Sequence, residues 1–216
     1  GRMHQVKAHQ VPEGSRTAKG MHIANLLPLE KDEWVTTAMT IRDFAEDRYF
    51  FFVTKRGMVK RSSAEQYQHF RRSGLIAVGL KPDDELIMVR EVTDSDEVVL
   101  TTELGFAIRF GISDVRPMGR SAAGVKGIGL RRDDSVVSGV VVSLHPDAQA
   151  VEGQEAEHQQ KDVAEILTVS ELGYGKRTSL DLYRLQSRGG KGIINMRVTP
   201  KTGRVIGAMS VGDEDE

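Results

Sequence analysis

The sequence predicts an all-β chain built as a propeller-like array of about four blades, each of about 50 residues and four short strands. Three observations predict it. One glycine-centred segment recurs four times in the same internal order. The stretches around it are short and rich in Val, Ile, Phe and Thr, bounded by Gly, Asp and Pro, which is strand-and-turn composition. No long segment carries a 3.6-residue apolar period, and the best helical candidate, 152–166, is mostly polar.

The elements follow in chain order. The array opens inside a first copy, Gly1-Arg2-Met3-His4-Gln5-Val6-Lys7, which has no strand before it. In the second copy the run Phe50-Phe51-Phe52-Val53-Thr54 leads to Gly57 and Met58-Val59-Lys60-Arg61. In the third, Val98-Val99-Leu100-Thr101-Thr102 leads to Gly105 and Phe106-Ala107-Ile108-Arg109. In the fourth, Ile166-Leu167-Thr168-Val169-Ser170 leads to Gly173 and Tyr174-Gly175-Lys176-Arg177. In these three a hydroxyl residue stands three before the glycine. A second glycine follows each first one, giving the pairs Gly1/Gly20, Gly57/Gly74, Gly105/Gly127 and Gly173/Gly192. Lys19, Lys126 and Lys191 precede three of these second glycines. A polar turn and a strand then close each copy, at Asp32-Glu33-Trp34-Val35, Asp84-Glu85-Leu86-Ile87, Asp133-Asp134-Ser135-Val136-Val137 and Thr202-Gly203-Arg204-Val205-Ile206. The expected organisation is one β domain over 1–216, with repeats 1–48, 49–96, 97–143 and 162–212, a polar insert at 144–161 and an acidic tail at 213–216.

Bulk composition sets the class. A chain of 216 residues with 39% hydrophobic and 28% charged residues is long enough and mixed enough for a globular core. No apolar run approaches the ~20 residues of a membrane span, and the start has no signal-peptide core, so no membrane association is expected. The absence of cysteine removes disulfides, thiolate metal sites and thiol nucleophiles and fits a cytoplasmic setting.

The net charge of -1 argues against a nucleic-acid binder until its distribution is read. Residues 1–20 hold four basic side chains, and 55–72, 105–132 and 173–197 hold six each, with one acidic residue in every segment. These segments thus carry 22 of the 30 Lys and Arg but only 4 of the 31 Asp and Glu. Equivalent segments of a propeller occupy equivalent positions, so the cations fall side by side on one rim. A curved basic rim suits a bent polyanion, because Lys and Arg neutralise phosphates whatever the base sequence. Aromatic residues beside them are few, which favours duplex backbone over stacked single strands. The expected DNA-binding set is Arg16, Lys19, Lys60, Arg61, Arg71, Arg72, Arg109, Arg120, Lys126, Lys176, Arg177, Arg184, Arg188 and Lys191.

Gln186-Ser187-Arg188-Gly189-Gly190-Lys191-Gly192 resembles the box motif Q-R-R-G-G-K/R-G of the gyrase A C-terminal domain, with Ser in place of the first Arg. Pro12 to Gly20, Asn25 to Leu29, Arg71 to Gly74 and Ser113 to Arg120 resemble the same domain, so the likeness spans nearly the whole chain outside the insert. It implies a β-pinwheel, a propeller with rearranged blade topology. It also implies duplex DNA wrapped on the outer rim in support of ATP-dependent negative supercoiling. The partners it implies are the gyrase B protein and the breakage-reunion domain of gyrase A. ATP and Mg²⁺ chemistry and the cleaving tyrosine belong to those other parts, leaving this piece without cofactor or catalytic residue. The family's box lies in its first blade. Here the box-like segment lies in the last repeat and reads as a degenerate later copy, so the chain is expected to be a fragment of a larger ring acting at the nucleoid.

Other constellations are weaker. The six histidines, His4, His9, His22, His69, His145 and His158, show no metal-ligand spacing. Tyr49, Tyr67, Tyr174 and Tyr183 lack an activating acid-and-arginine cluster and read as packing residues. Asp83-Asp84-Glu85 and Asp133-Asp134 recur at one turn of the repeat, which favours a structural role over Mg²⁺ binding. The alternatives are the equivalent domain of topoisomerase IV and a propeller used for protein–protein contact. Charge segregation disfavours the second, since protein interfaces are depleted in Lys at their centres.

Overall fold

The computed structural model describes residues 1–31, 33–41, 43–71, 73–143, 165–212 and 215. The insert 144–161 and most of the tail 213–216 lie outside the described residues, as does Arg72. All regular elements described are strands and short 3₁₀ turns. They are β1 (Arg2–Met3), β2 (Tyr49–Thr54), β3 (Met58–Ser63), β4 (Leu75–Ile76), β5 (Leu86–Val92), β6 (Glu97–Thr102), β7 (Phe106–Gly111), β8 (Val125–Lys126), β9 (Val136–Val142), β10 (Glu165–Ser170), β11 (Gly175–Ser179), β12 (Ile193–Ile194) and β13 (Val205–Val211). Ile166, the end of the helical candidate, sits in β10.

Two sheets are four-stranded, in the orders β5-β2-β3-β8 and β12-β7-β6-β9. Each takes three strands from one repeat and a two-residue strand from the next. Met58 pairs with Lys126, and Phe106 with Ile194. The last sheet is β11-β10-β13, and β1 pairs only with β4 of the second repeat. Every later repeat thus lends a short strand backwards, which is what locks neighbours together. The inner strands β5, β9 and β13 lie against one another, so the lent strands form the outer edge.

The local sequence explains this geometry. Thr54, Thr102 and Ser170 each sit at a bulge in the central strand, at the same place in three repeats. Thr54 Oγ1 donates to Asp84 Oδ2 at 2.7 Å, and the Asp134 carboxylate accepts from the backbone N–H of Leu104 and Ser135 at 2.9 Å. The recurring aspartates are therefore turn staples. Phe51, Val59, Leu100, Ile108, Phe110 and Ile128 fill a core shared by the second and third repeats.

Two details differ from the sequence reading. The glycine that opens the lent strand of the third repeat is Gly124, not Gly127. Gly124 has φ 90°, matching Gly74 at 76° and Gly192 at 68°, while Gly127 follows β8. Lys126 therefore lies on the lent strand itself and does not correspond to Lys19 and Lys191. In the first repeat, Trp34-Val35 form no strand, and Trp34 is 71% exposed. From this repeat, Met3, Met39, Ile41 and Phe44 pack on the core of the second repeat.

Candidate nucleic-acid interface

A lent strand ends a loop that runs along the outer edge of the preceding repeat. In the fourth repeat this loop is the box-like Gln186–Gly192. Gln186 N–H donates to Arg109 O at 3.1 Å, Gly189 N–H to Gly127 O at 2.6 Å, and Gly129 N–H to Gly190 O at 2.8 Å. The backbones run this close because Gly192 has no Cβ; one built there would land on the Ala107 carbonyl. The Arg188 side chain donates from Nε to Asp114 O at 3.0 Å and from Nη1 to Lys126 O at 3.1 Å. Among the described residues its remaining guanidinium hydrogens have no partner. In the third repeat the corresponding loop, 116–124, is tied by Met118 N–H to Arg61 O at 2.9 Å and by Gly79 N–H to Ala122 O at 3.1 Å.

The predicted cations divide by environment. Arg16, Lys19, Arg71, Lys126, Lys176, Arg177, Arg184 and Lys191 are exposed, and Arg120 and Arg188 are half-buried. Most of these belong to the outer-edge loops. Three predicted contacts need correction. Lys60 is 1% exposed and Arg61 5% exposed, and the Arg109 side chain is mostly buried. The basic tetrads read from the sequence put them on strands β3 and β7, where alternate side chains point into the sheet packing. Lys60 Nζ donates to Ala77 O and Arg120 O at 2.5 Å each and lies 5.0 Å from the Phe52 ring centroid. Arg61 pairs with Asp94 and stacks on Tyr49, 4.6 Å from the ring centroid. Arg109 Nε meets Glu97 Oε2 at 2.5 Å, and Nη1 donates to Leu180 O at 2.9 Å and Tyr183 O at 3.1 Å. Lys60 and Arg109 thus tie one repeat to the next, and Arg61 is held within its own repeat, so all three are spent on internal contacts.

The sequence reading also missed a residue. Arg116 is exposed just before Pro117, which bridges Arg61, while Arg184 is exposed just before Leu185, which bridges Arg109. The matching bridges make the two arginines equivalent; the signal was present in the segment Ser113 to Arg120. Tyr67 and Tyr183 are buried, and burial pushes both phenols above their usual pKa. Tyr67 donates to Ala77 O at 3.1 Å and Tyr183 to Asn195 Oδ1 at 2.7 Å, so both are packing residues.

Comparison with known proteins matches this arrangement. A profile described as "DNA gyrase C-terminal domain, beta-propeller" fits residues 1–42, 48–91, 96–143 and 164–211. The chain is 61% identical over 215 residues to the DNA gyrase A protein of Lawsonia intracellularis, covering 100% of this chain and 24% of that protein. It is 42% identical over 217 residues to the gyrase A protein of Staphylococcus epidermidis, covering 100% of this chain and 22% of that one. It thus spans about a quarter of the length of these curated relatives. A solved DNA gyrase A C-terminal domain superposes with a TM-score of 0.78 at 25% identity, covering 100% of this chain and 64% of that one. The C-terminal domain of a DNA topoisomerase IV gives 0.76 at 31% identity, covering 90% and 55%. The chain belongs to the family of DNA gyrase C-terminal domains.

Proposed function

We propose that this domain binds duplex DNA without sequence preference and wraps it along its outer edge, serving gyrase A in ATP-dependent negative supercoiling. The observation that carries the reading is the set of exposed or half-buried cations in the outer-edge loops of the third and fourth repeats, Arg116, Arg120, Arg184, Arg188 and Lys191, with Arg16 and Lys19 exposed in the corresponding segment of the first. Such cations displace condensed counterions from phosphates, and backbone contacts of this kind carry no base readout. The interface excludes Lys60, Arg61 and Arg109 as direct contacts. The four repeats act as one domain with boundaries near 1–48, 49–96, 97–143 and 162–212. Strand cleavage and ATP hydrolysis belong to the breakage-reunion domain and the gyrase B protein, which are its partners in the cytoplasm. No described helix is long and apolar enough to cross a membrane.

Binding of a labelled duplex across a salt series tests this. Log affinity is expected to fall linearly with log salt, and each lost phosphate contact lowers that slope by about one. The combined reversal of Arg116, Arg120, Arg184, Arg188 and Lys191 to Glu abolishes binding while the circular dichroism spectrum stays that of a folded β protein. Retained affinity in a folded variant of this kind overturns the reading.

A further inference from the structure

Lys60 is a buried cation with no carboxylate in reach among the described residues. Its ammonium has three hydrogens. Two go to Ala77 O and Arg120 O, and the Phe52 ring faces the third. Ala77 belongs to the second repeat and Arg120 to the loop of the third, so one nitrogen joins both sides of a joint. The groups facing it are cationic or neutral. The Arg120 side chain comes from the third repeat. Tyr67 shares the Ala77 carbonyl, and the α-amino group of Gly1 donates to Val78 O at 2.8 Å. Arg120 itself makes no ion pair among the described residues.

We propose that Lys60 is a positioning residue that pins the basic loop 116–124 from inside, and that its unmatched charge makes duplex binding at this loop proton-linked. The inference rests on the duplex-binding reading above. Burial first, and the Arg120 guanidinium second, lower the Lys60 pKa to about 8. Unfolded, the ammonium keeps its ordinary value of 10.5. Between those values the unfolded chain binds more protons, so the closed joint gains stability as pH rises from about 8 towards 10.5. At lower pH the joint carries a charge that nothing beside it neutralises. A phosphate seated at Arg116 and Arg120 supplies the missing negative potential. It favours the charged ammonium and raises its pKa, and by reciprocity the charged form favours the phosphate. Binding near pH 8.5 therefore takes up a proton, and affinity falls as pH rises through the free and bound midpoints.

The test follows the Lys60 side chain by NMR in labelled protein, free and with a saturating short duplex at low salt. The α-amino group is acetylated in all samples, so that the other facing amine carries no charge. In free protein the Lys60 midpoint is expected at about 8, well below its ordinary value of 10.5. Saturating duplex should raise it by about one unit, matching about a sevenfold loss of affinity between pH 7 and pH 9.5. Lys60→Met should bind with a flat pH profile over that range. A Lys60 midpoint at its ordinary value of 10.5 overturns the inference without needing any variant to fold. Duplex binding with an unmoved midpoint and a flat profile overturns this inference alone. No duplex binding at any pH overturns it together with the function above.

Discussion

The joint between the second and third repeats and the joint between the third and fourth use the same positions and different chemistry. At the later joint Arg109 reaches a buried carboxylate, Glu97, and two carbonyls of the next repeat, Leu180 and Tyr183. At the earlier joint Tyr49 stands where Glu97 stands, so Arg61 lies on an aromatic face and turns to Asp94, which is 62% exposed. Among the described residues Arg61 Nε is buried without a partner. The same joint adds Lys60, where the later one has the apolar Ile108. Identical topology thus hides one joint held by a matched pair of opposite charges and one held by a lysine with no carboxylate beside it. A basic residue in a repeat is a ligand contact or an internal clasp according to which strand face it occupies, not according to its place in a basic run.

The largest expected effect separates the two arginines. Arg109→Met strands the Glu97 carboxylate, whose side chain is only 9% exposed, and is expected to cost about 3–5 kcal/mol in urea unfolding. Arg61→Met leaves Asp94 in water and removes an already imperfect clasp, so about 1 kcal/mol is expected. Equal losses would break the comparison. Next come the glycines that admit the lent strands. A Cβ at Gly124 would land on Val59 O and one at Gly192 on Ala107 O, both with φ in the left-handed region. At Gly20 φ is 74° but a Cβ meets nothing. Gly124→Ala and Gly192→Ala should each cost more than the about 1–2 kcal/mol of left-handed strain alone, and Gly20→Ala no more than that strain. Thermal melts of the three variants decide it.

Much of this was legible in the sequence. The repeat, the strand-and-turn punctuation and the staple aspartates follow from glycine, hydroxyl and Asp positions that obey local rules. The register of the third repeat was misread because Gly124 and Gly127 are both plausible by spacing, and only the backbone φ identifies the one that opens the strand. The buried clasps were misread for a different reason. Met58-Val59-Lys60-Arg61 and Phe106-Ala107-Ile108-Arg109 lie in segments rich in Lys and Arg, yet which side chain is buried depends on the repeat that docks across it, a contact made far along the chain. The exchange of strands between repeats is equally non-local: nothing within Ile193-Ile194 says that its partner is Phe106-Ala107.

A smaller change sharpens the comparison from the other side. Tyr49→Glu places a carboxylate where Arg109 already has one, beside a guanidinium with an idle Nε. Arg61 then gains the matched geometry of the later joint and releases Asp94. The gain is expected to be at most about 1 kcal/mol, because burying a new carboxylate offsets most of the attraction. Double-mutant analysis with Arg61→Met isolates it: coupling near zero means that the Tyr49 ring was serving Arg61 equally well.

The smallest effect belongs to Arg177, the third arginine of the series. It pairs with Glu165 at 3.2 Å, as Arg109 pairs with Glu97, but its side chain is 56% exposed. Among the described residues no further repeat lies across it, so it makes none of the carbonyl contacts that Arg109 makes. Removing it therefore leaves no buried charge and no orphaned carbonyl. Arg177→Ala should cost no more than about 0.5 kcal/mol at low ionic strength, and that little should vanish near 1 M salt, where the screening length falls to about 3 Å. The cost of Arg109→Met should persist at the same salt, because water and ions do not reach the pair. A salt-resistant loss at Arg177 would mean that its exposed pair is held as tightly as the buried one, and that the fourth repeat does not need a neighbour to complete its clasp.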